Sequence, residues 1–234
     1  MKGAQSARQV VLVTRPEPGL SETLAQGRAL GWAMLGAPGL EIIPSAPLPP
    51  LAAQALAITS AQALSALQNQ PRDRLLLSVG EATGDRARAA GFMNVRSAGG
   101  TAGQLEALCR ELGLGGAHLV FACGRGRHGQ AYGAEMARRL GAAWQETYRV
   151  RTLAVLPADA LQALAEGRVA AVMFCSTESA AAFFELCPPV LQDCFAAADC
   201  LCLSEAIARR AAEGVLWRKV KIASPVSALL HQLS

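Results

Sequence analysis

Short apolar runs alternate with helix-like stretches from one end of this chain to the other, and that alternation constrains the fold more than any other feature. The runs "QVVLVT" (9–14), "LLLSV" (75–79), "HLVFAC" (118–123), "AAVMFC" (170–175) and "ADCLCL" (198–203) read as strands. Between them "SETLAQGRALG", "SAQALSALQ", "ATGDRARAAG", "AGQLEALCREL", "ESAAAFFEL" and "EAIARRAAEG" read as helices, each opening at or beside a Ser, Thr or acidic residue suited to an N-cap or first turn. Strand–helix alternation of this kind specifies an α/β fold with parallel sheets.

The halves of the chain also resemble each other. "AITSAQALSAL" (57–67) matches "MFCSTESAAAFF" (173–184), and "LLLSVGEATGDRARAAGF" (75–92) matches "DCLCLSEAIARRAAEGV" (199–215). "NVRSAGGTAGQLEALC" (94–109) matches "VKIASPVSALLHQL" (220–233). The first half then has a fourth unit, "HLVFACGRGRHGQAYGAEMARRLGA", for which the second half has no chain left. Its counterpart stands at the other end, "QVVLVTRPEPGLSETLAQGRALGW" (9–32). The simplest physical account is two similar parallel-sheet α/β domains, one inserted into the other: residues 1–39 and 154–234 form a discontinuous domain, 46–144 the inserted one, and 40–45 and 145–153 two extended linker strands. One continuous doubly wound domain is the alternative.

Composition narrows the function classes. Apolar residues make up 52% of the 234 and charged residues 17%, with no stretch of the ~18 apolar residues that a spanning helix needs. The N-terminus does not read as a signal peptide. Seven cysteines without CxxC or metal-ligand spacing read as free thiols of a reducing cytoplasm. The net charge of +4 is scattered and tyrosines number two, which disfavours a nucleic-acid surface; an anionic small molecule fits this charge at least as well.

"VLVTRPEP", "ITSAQAL", "VGEATGDRARAAGF", "FACGRGR", "ETYRVRT" and "FCSTESAAAFF" occur in the order seen in uroporphyrinogen-III synthases, which this chain resembles over nearly its whole length. The resemblance implies a cofactor-free, metal-free cytoplasmic enzyme that closes linear hydroxymethylbilane into a ring with loss of water and inversion of ring D. It implies two α/β domains joined by a two-stranded linker, with the active site in the cleft between them. A monomer is expected, with a small-molecule substrate and neither nucleic acid nor membrane as partner. "CLSEAIARR" departs from the family, placing Ser204 and Glu205 at a turn where many members carry Gly and Thr.

The polycarboxylate substrate directs attention to loops that follow strands and precede helices, where backbone N–H groups and the helix dipole favour anions. Thr59, Ser60, Gly80, Thr83, Thr101, Ser176 and Thr177 lie in such loops and are candidate substrate-binding residues. Gly124-x-Gly126-x-x-Gly129 has the spacing of a dinucleotide fingerprint, but it ends a half-domain, and Glu146, where a ribose acid would be sought, falls in the linker. It reads instead as an anion loop in which Arg125, and Arg15 in the equivalent loop of the other domain, clamp carboxylates. Tyr148 matches the tyrosine of the family's linker motif and is the candidate proton donor to the leaving hydroxyl. The competing functions are a non-catalytic two-lobed binder of an anionic small molecule and a nucleotide-dependent enzyme.

Overall fold

The strand-forming runs assemble into two sheets, one wholly parallel and one parallel except at one edge strand. The computed structural model describes residues 9–233. From the start it runs β1 (Val10–Val13), α1 (Gly19–Ala29), β2 (Met34–Gly36), β3 (Leu40–Pro44), β4 (Ala55–Ile58), a 3₁₀ segment Ala61–Leu67, β5 (Leu75–Ser78), α2 (Glu81–Ala89), β6 (Val95–Ser97) and α3 (Ala102–Glu111). After these come β7 (Leu119–Arg125), α4 (Ala134–Arg139), β8 (Ala143–Thr152), α5 (Ala158–Ala165), β9 (Val169–Phe174), α6 (Thr177–Leu186), β10 (Asp199–Cys202), α7 (Glu205–Ala211), β11 (Lys219–Ile222) and α8 (Val226–His231). Two compact units result: the described residues up to Glu41 together with those from Thr152 onward, and Ile42–Arg151.

In the discontinuous unit the sheet order is β11-β10-β9-β1-β2, with every pair parallel. Leu12 lies opposite Val172 and Val13 opposite Met173, so the N-terminal strand completes the sheet of the C-terminal half, the pairing that the repeat requires. In the continuous unit the order is β3-β8-β7-β4-β5-β6, parallel from β8 to β6. At β3 the direction reverses: Ser45 N–H donates to Thr147 C=O and Leu153 N–H to Gly39 C=O, so residue numbers rise on one strand as they fall on the other.

Numbered along its own chain, the discontinuous unit has the doubly wound order 2-1-3-4-5, and β4 to β8 of the other unit have the order 3-2-1-4-5. The spatial layouts are the same, and only the point at which the chain enters differs. Each sheet therefore reverses its winding once, between β1 and β9 in one unit and between β4 and β7 in the other. In open α/β sheets the usual ligand position is at the carboxyl ends of the strands where the winding reverses.

Packing explains why these strands read as continuous apolar runs. Every residue of β1, β4 and β10 is buried, because helices cover both faces. In the discontinuous unit Phe174, Phe183, Phe184, Phe195 and Trp217 form one aromatic cluster, its tightest pair Phe195–Trp217 at 4.8 Å between centroids. Local signals fix the helix ends. Thr101 and Gln104 form a full capping box at α3, and Gly31 and Gly91 (φ 88° and 94°) close α1 and α2 in the left-handed region. The "SAQALSALQ" segment becomes 3₁₀ instead of α-helical. Ser60 Oγ accepts from Gln62 N–H two residues on, a tighter turn than the Ser176-to-Ser179 cap of its α-helical counterpart α6.

Candidate functional site

At the reversal point of the discontinuous unit, Thr14 welds the end of β1 to β9. Its N–H and its hydroxyl both donate to Met173 C=O, at 3.1 and 2.9 Å. The next residue, Arg15, is thereby placed beside Cys175 and the start of the β9–α6 loop, where its charge acts on the Cys175 thiol. Burial nevertheless outweighs that charge and pushes the thiol up to about 11, so Cys175 stays neutral and does not pair with the guanidinium. Arg15 is half-buried, makes one hydrogen bond among the described residues, from Nη1 to Thr23 Oγ1 (3.2 Å), and ion-pairs with no carboxylate among them. A cation so placed, with most of its donors uncommitted, is suited to a carboxylate ligand.

The neighbouring hydroxyls are engaged in local structure. Ser176 Oγ accepts from Ser179 N–H (3.0 Å) and bonds Ser179 Oγ (2.9 Å), capping α6, and Thr177 is the first residue of that helix. Ser204 caps α7 in the same way, accepting from Ile207 N–H at 3.4 Å, which accounts for a serine at that turn.

In the continuous unit, Thr59 and Ser60 follow β4, and the buried Cys123 thiol of β7 donates to Ala57 C=O of that strand (3.9 Å), across the reversal point. Burial holds that thiol up at about 11 as well. Gly80 and Thr101 come close through their loops: a Cβ on Gly80 would stand 3.2 Å from Gly100 Cα, and Gly100 N–H donates to Val79 C=O (2.8 Å). Thr83 lies in the first turn of α2, its N–H donating to Gly80 C=O. A side-chain chain then fixes this corner, with Ser78 Oγ to Ser97 Oγ at 3.0 Å and Ser97 Oγ to Glu81 Oε2 at 2.7 Å. The Ser97 hydroxyl, followed by Arg88, keeps the Glu81 carboxyl below its usual range.

The reading of the glycine-rich stretch as an anion loop is corrected. Gly124 and Arg125 belong to β7, and the chain then folds back: Gly126 N–H donates to Gln130 C=O and Tyr132 N–H to Gly124 C=O. No helix starts on these glycines, since α4 begins only at Ala134, and with that the dinucleotide geometry is gone. Nor is Arg125 an open clamp. Its Nε donates to Glu146 Oε2 (2.7 Å), its Nη1 to Gly129 C=O (2.8 Å), and its guanidinium covers the Trp144 ring at 5.1 Å. Arg149 first, and then Arg125, hold the Glu146 carboxyl below the usual carboxylate range. The physical reason is the register of β8, which sets Glu146 opposite Cys123, two residues before Arg125.

Tyr148 sits inside β8, a ten-residue sheet strand, and not on a bare connection. It pairs with Gly124, is 5% exposed, and its ring occupies the space a Cβ on Gly124 would need. Gly124 thus serves an aromatic ring of its own chain instead of a phosphate. Sequence reasoning missed Gly19 and Thr23, the residues that touch Arg15. Their i, i+4 spacing directly after "TRPEP" places both on one face of α1, and that was the available signal.

Among the described residues no three His, Cys, Asp or Glu side chains group as metal ligands, and no helix is long and apolar enough to cross a membrane. Comparison with curated proteins found no match. Solved structures share the fold. Among them, a mutant uroporphyrinogen III synthase from the extremely thermophilic bacterium Thermus thermophilus is 13% identical with a TM-score of 0.54, over 95% of this chain and 96% of that one. Uroporphyrinogen-III synthetase from Helicobacter pylori is 16% identical with a TM-score of 0.62, over 97% and 99%. The profile of the family described as uroporphyrinogen-III synthase HemD matches residues 21–224. With that span of the sequence matched and the two-unit α/β architecture in place, the chain belongs to the uroporphyrinogen-III synthase family.

Proposed function

We propose that this protein converts hydroxymethylbilane to uroporphyrinogen III, closing the ring with loss of water and inversion of ring D. The family match over residues 21–224 carries this reading and favours it over a non-catalytic binder. The pyrrole nitrogen expels the hydroxyl from the hydroxymethyl carbon, the hydroxyl takes a proton and leaves as water, and the substituted carbon of ring D attacks the electrophilic azafulvene. The bond from that carbon to its original bridge then breaks, and the freed bridge carbon, itself an azafulvene, is attacked by the unsubstituted α-carbon of ring D, which loses its proton. Chemistry of this kind needs little acid–base power. It needs a flexible polyanion held in one near-attack geometry, which is worth about 7–11 kcal/mol.

In this account the strand-end loops hold carboxylates. Arg15 is the principal charged ligand. The backbone around Ser60, Gly80, Thr83, Thr101, Ser176 and Thr177 contributes N–H groups, since the Ser60, Thr101 and Ser176 hydroxyls cap their own segments. Tyr148 gives the leaving hydroxyl its proton, from a ring that packing against Gly124 keeps in one orientation. The enzyme works in the cytoplasm as a monomer, without cofactor. Purified protein should therefore speed the disappearance of hydroxymethylbilane above its spontaneous closure, with nothing else added. A rate equal to the spontaneous one would remove the proposal.

A further inference from the structure

Arg15 is not simply a loop arginine, because α1 contains a seat for it. We infer that Gly19 and Thr23 are positioning residues that fix the Arg15 guanidinium in the orientation that receives a substrate carboxylate. The inference rests on the reading of Arg15 as a carboxylate ligand.

Three observations lead to it. First, a Cβ on Gly19 would overlap Arg15 Nη2, Cζ and Nε, so the guanidinium lies flat against the first turn of α1 in space that only glycine leaves. Gly19 has no positive φ that would otherwise call for glycine, so its lack of a side chain matters here for room alone. Second, Thr23 is buried at 1% exposure, and its hydroxyl donates its one proton to Gly19 C=O (2.9 Å). The oxygen can then only accept from Arg15 Nη1, which fixes the direction of that bond. Third, this cation lies at the positive end of a helix dipole, where a positive charge is disfavoured. Glu17, the adjacent acid, is turned to Ser21, taking its N–H at 3.1 Å and its hydroxyl at 2.6 Å. An arginine held in an unfavourable field by two made-to-fit contacts, with its remaining donors uncommitted, is placed for an incoming anion and not for the stability of the fold.

The test is steady-state kinetics with hydroxymethylbilane, alongside thermal melts, for Arg15→Ala, Gly19→Ala, Thr23→Val, Thr23→Ser and the double variant Arg15→Ala/Thr23→Val. Arg15→Ala should raise KM about 10- to 100-fold, the range for losing a charged hydrogen bond. Gly19→Ala displaces only the far end of a flexible side chain, and alanine is the better helix former. It should keep or raise Tm while raising KM about tenfold or more, as loss of the same charged bond would. Thr23→Val should raise KM about 3- to 10-fold with kcat little changed, and Thr23→Ser should restore it. In the Arg15→Ala background Thr23→Val should add nothing, because it acts through the missing guanidinium. If Arg15→Ala leaves KM unchanged, the carboxylate-ligand reading fails. If it raises KM but Gly19→Ala and Thr23→Val do not, or if Thr23→Val adds its full effect without Arg15, the seat is structural only and the inference is overturned.

Discussion

At the scale of single residues, the site is decided by which polar groups are already committed. Arg15 and Arg125 stand at the carboxyl ends of equivalent strands, β1 and β7, and look alike in the sequence. Yet Arg125 is tied to Glu146, Gly129 and Trp144, while Arg15 makes one hydrogen bond among the described residues. We therefore predict that Arg125→Ala raises KM far less than Arg15→Ala and costs stability instead, which kinetics and melts on the two variants would separate. Tyr148→Phe keeps the ring on Gly124 and removes only the hydroxyl. Turnover should fall about 100-fold, at the low end for a general acid, with KM little changed. Wild-type turnover would remove the phenol from the chemistry. Gly124→Ala must push that ring aside and should cost about 1–3 kcal/mol as an overpacked position, with turnover falling too. That Arg15 follows a strand and that Tyr148 lies in an extended segment were legible from the chain. Their partners were not, because commitment of a side chain depends on register and on contacts formed only after folding.

At the scale of elements, two strands carry testable consequences. Asp199 opens β10 with its carboxylate buried between Arg218 Nε (2.7 Å) and Lys221 Nζ (3.1 Å). Arg218 above all, and then Lys221, draw its carboxyl below the usual range. A lowered folded-state pKa means that the stabilisation is fully present above the ordinary value near ~4 and is lost as the pH falls through and below it. Asp199→Asn should thus cost about 1–3 kcal/mol at neutral pH and flatten the acid limb of a Tm-against-pH curve. An unchanged acid limb would mean that other groups set it. In β8, Thr147 is fully buried and its Oγ1 has no hydrogen-bond partner among the described residues. Thr147→Val has the same shape without the stranded hydroxyl and should raise stability by about 1 kcal/mol, measured as a higher denaturant midpoint. A lower midpoint would show that the hydroxyl has a partner in solution. The long central strands and the capped helices announced themselves through apolar runs and Ser or Thr starts. The three-residue β2 did not, since so short a strand has no periodicity to read. The segment 145–153 reads as an extended linker strand, and it is extended, but its place in the sheet between β3 and β7 is a long-range pairing that its own residues do not announce.

At the scale of the whole molecule, the two units are one architecture entered at two points, and the displaced fourth repeat in the sequence was enough to show that "QVVLVT" must join the C-terminal strands. Which loops then converge at each reversal point follows from the sheet order, a long-range property that no local window of sequence contains. This arrangement directs ring closure to the rearranged product instead of merely binding the bilane. The most direct measurement is the isomer composition formed from hydroxymethylbilane by the purified protein, resolved by chromatography after oxidation, against a no-protein control. Predominantly the type III isomer is expected with protein and type I without it. Type I in both would contradict it, even if the protein bound the bilane tightly.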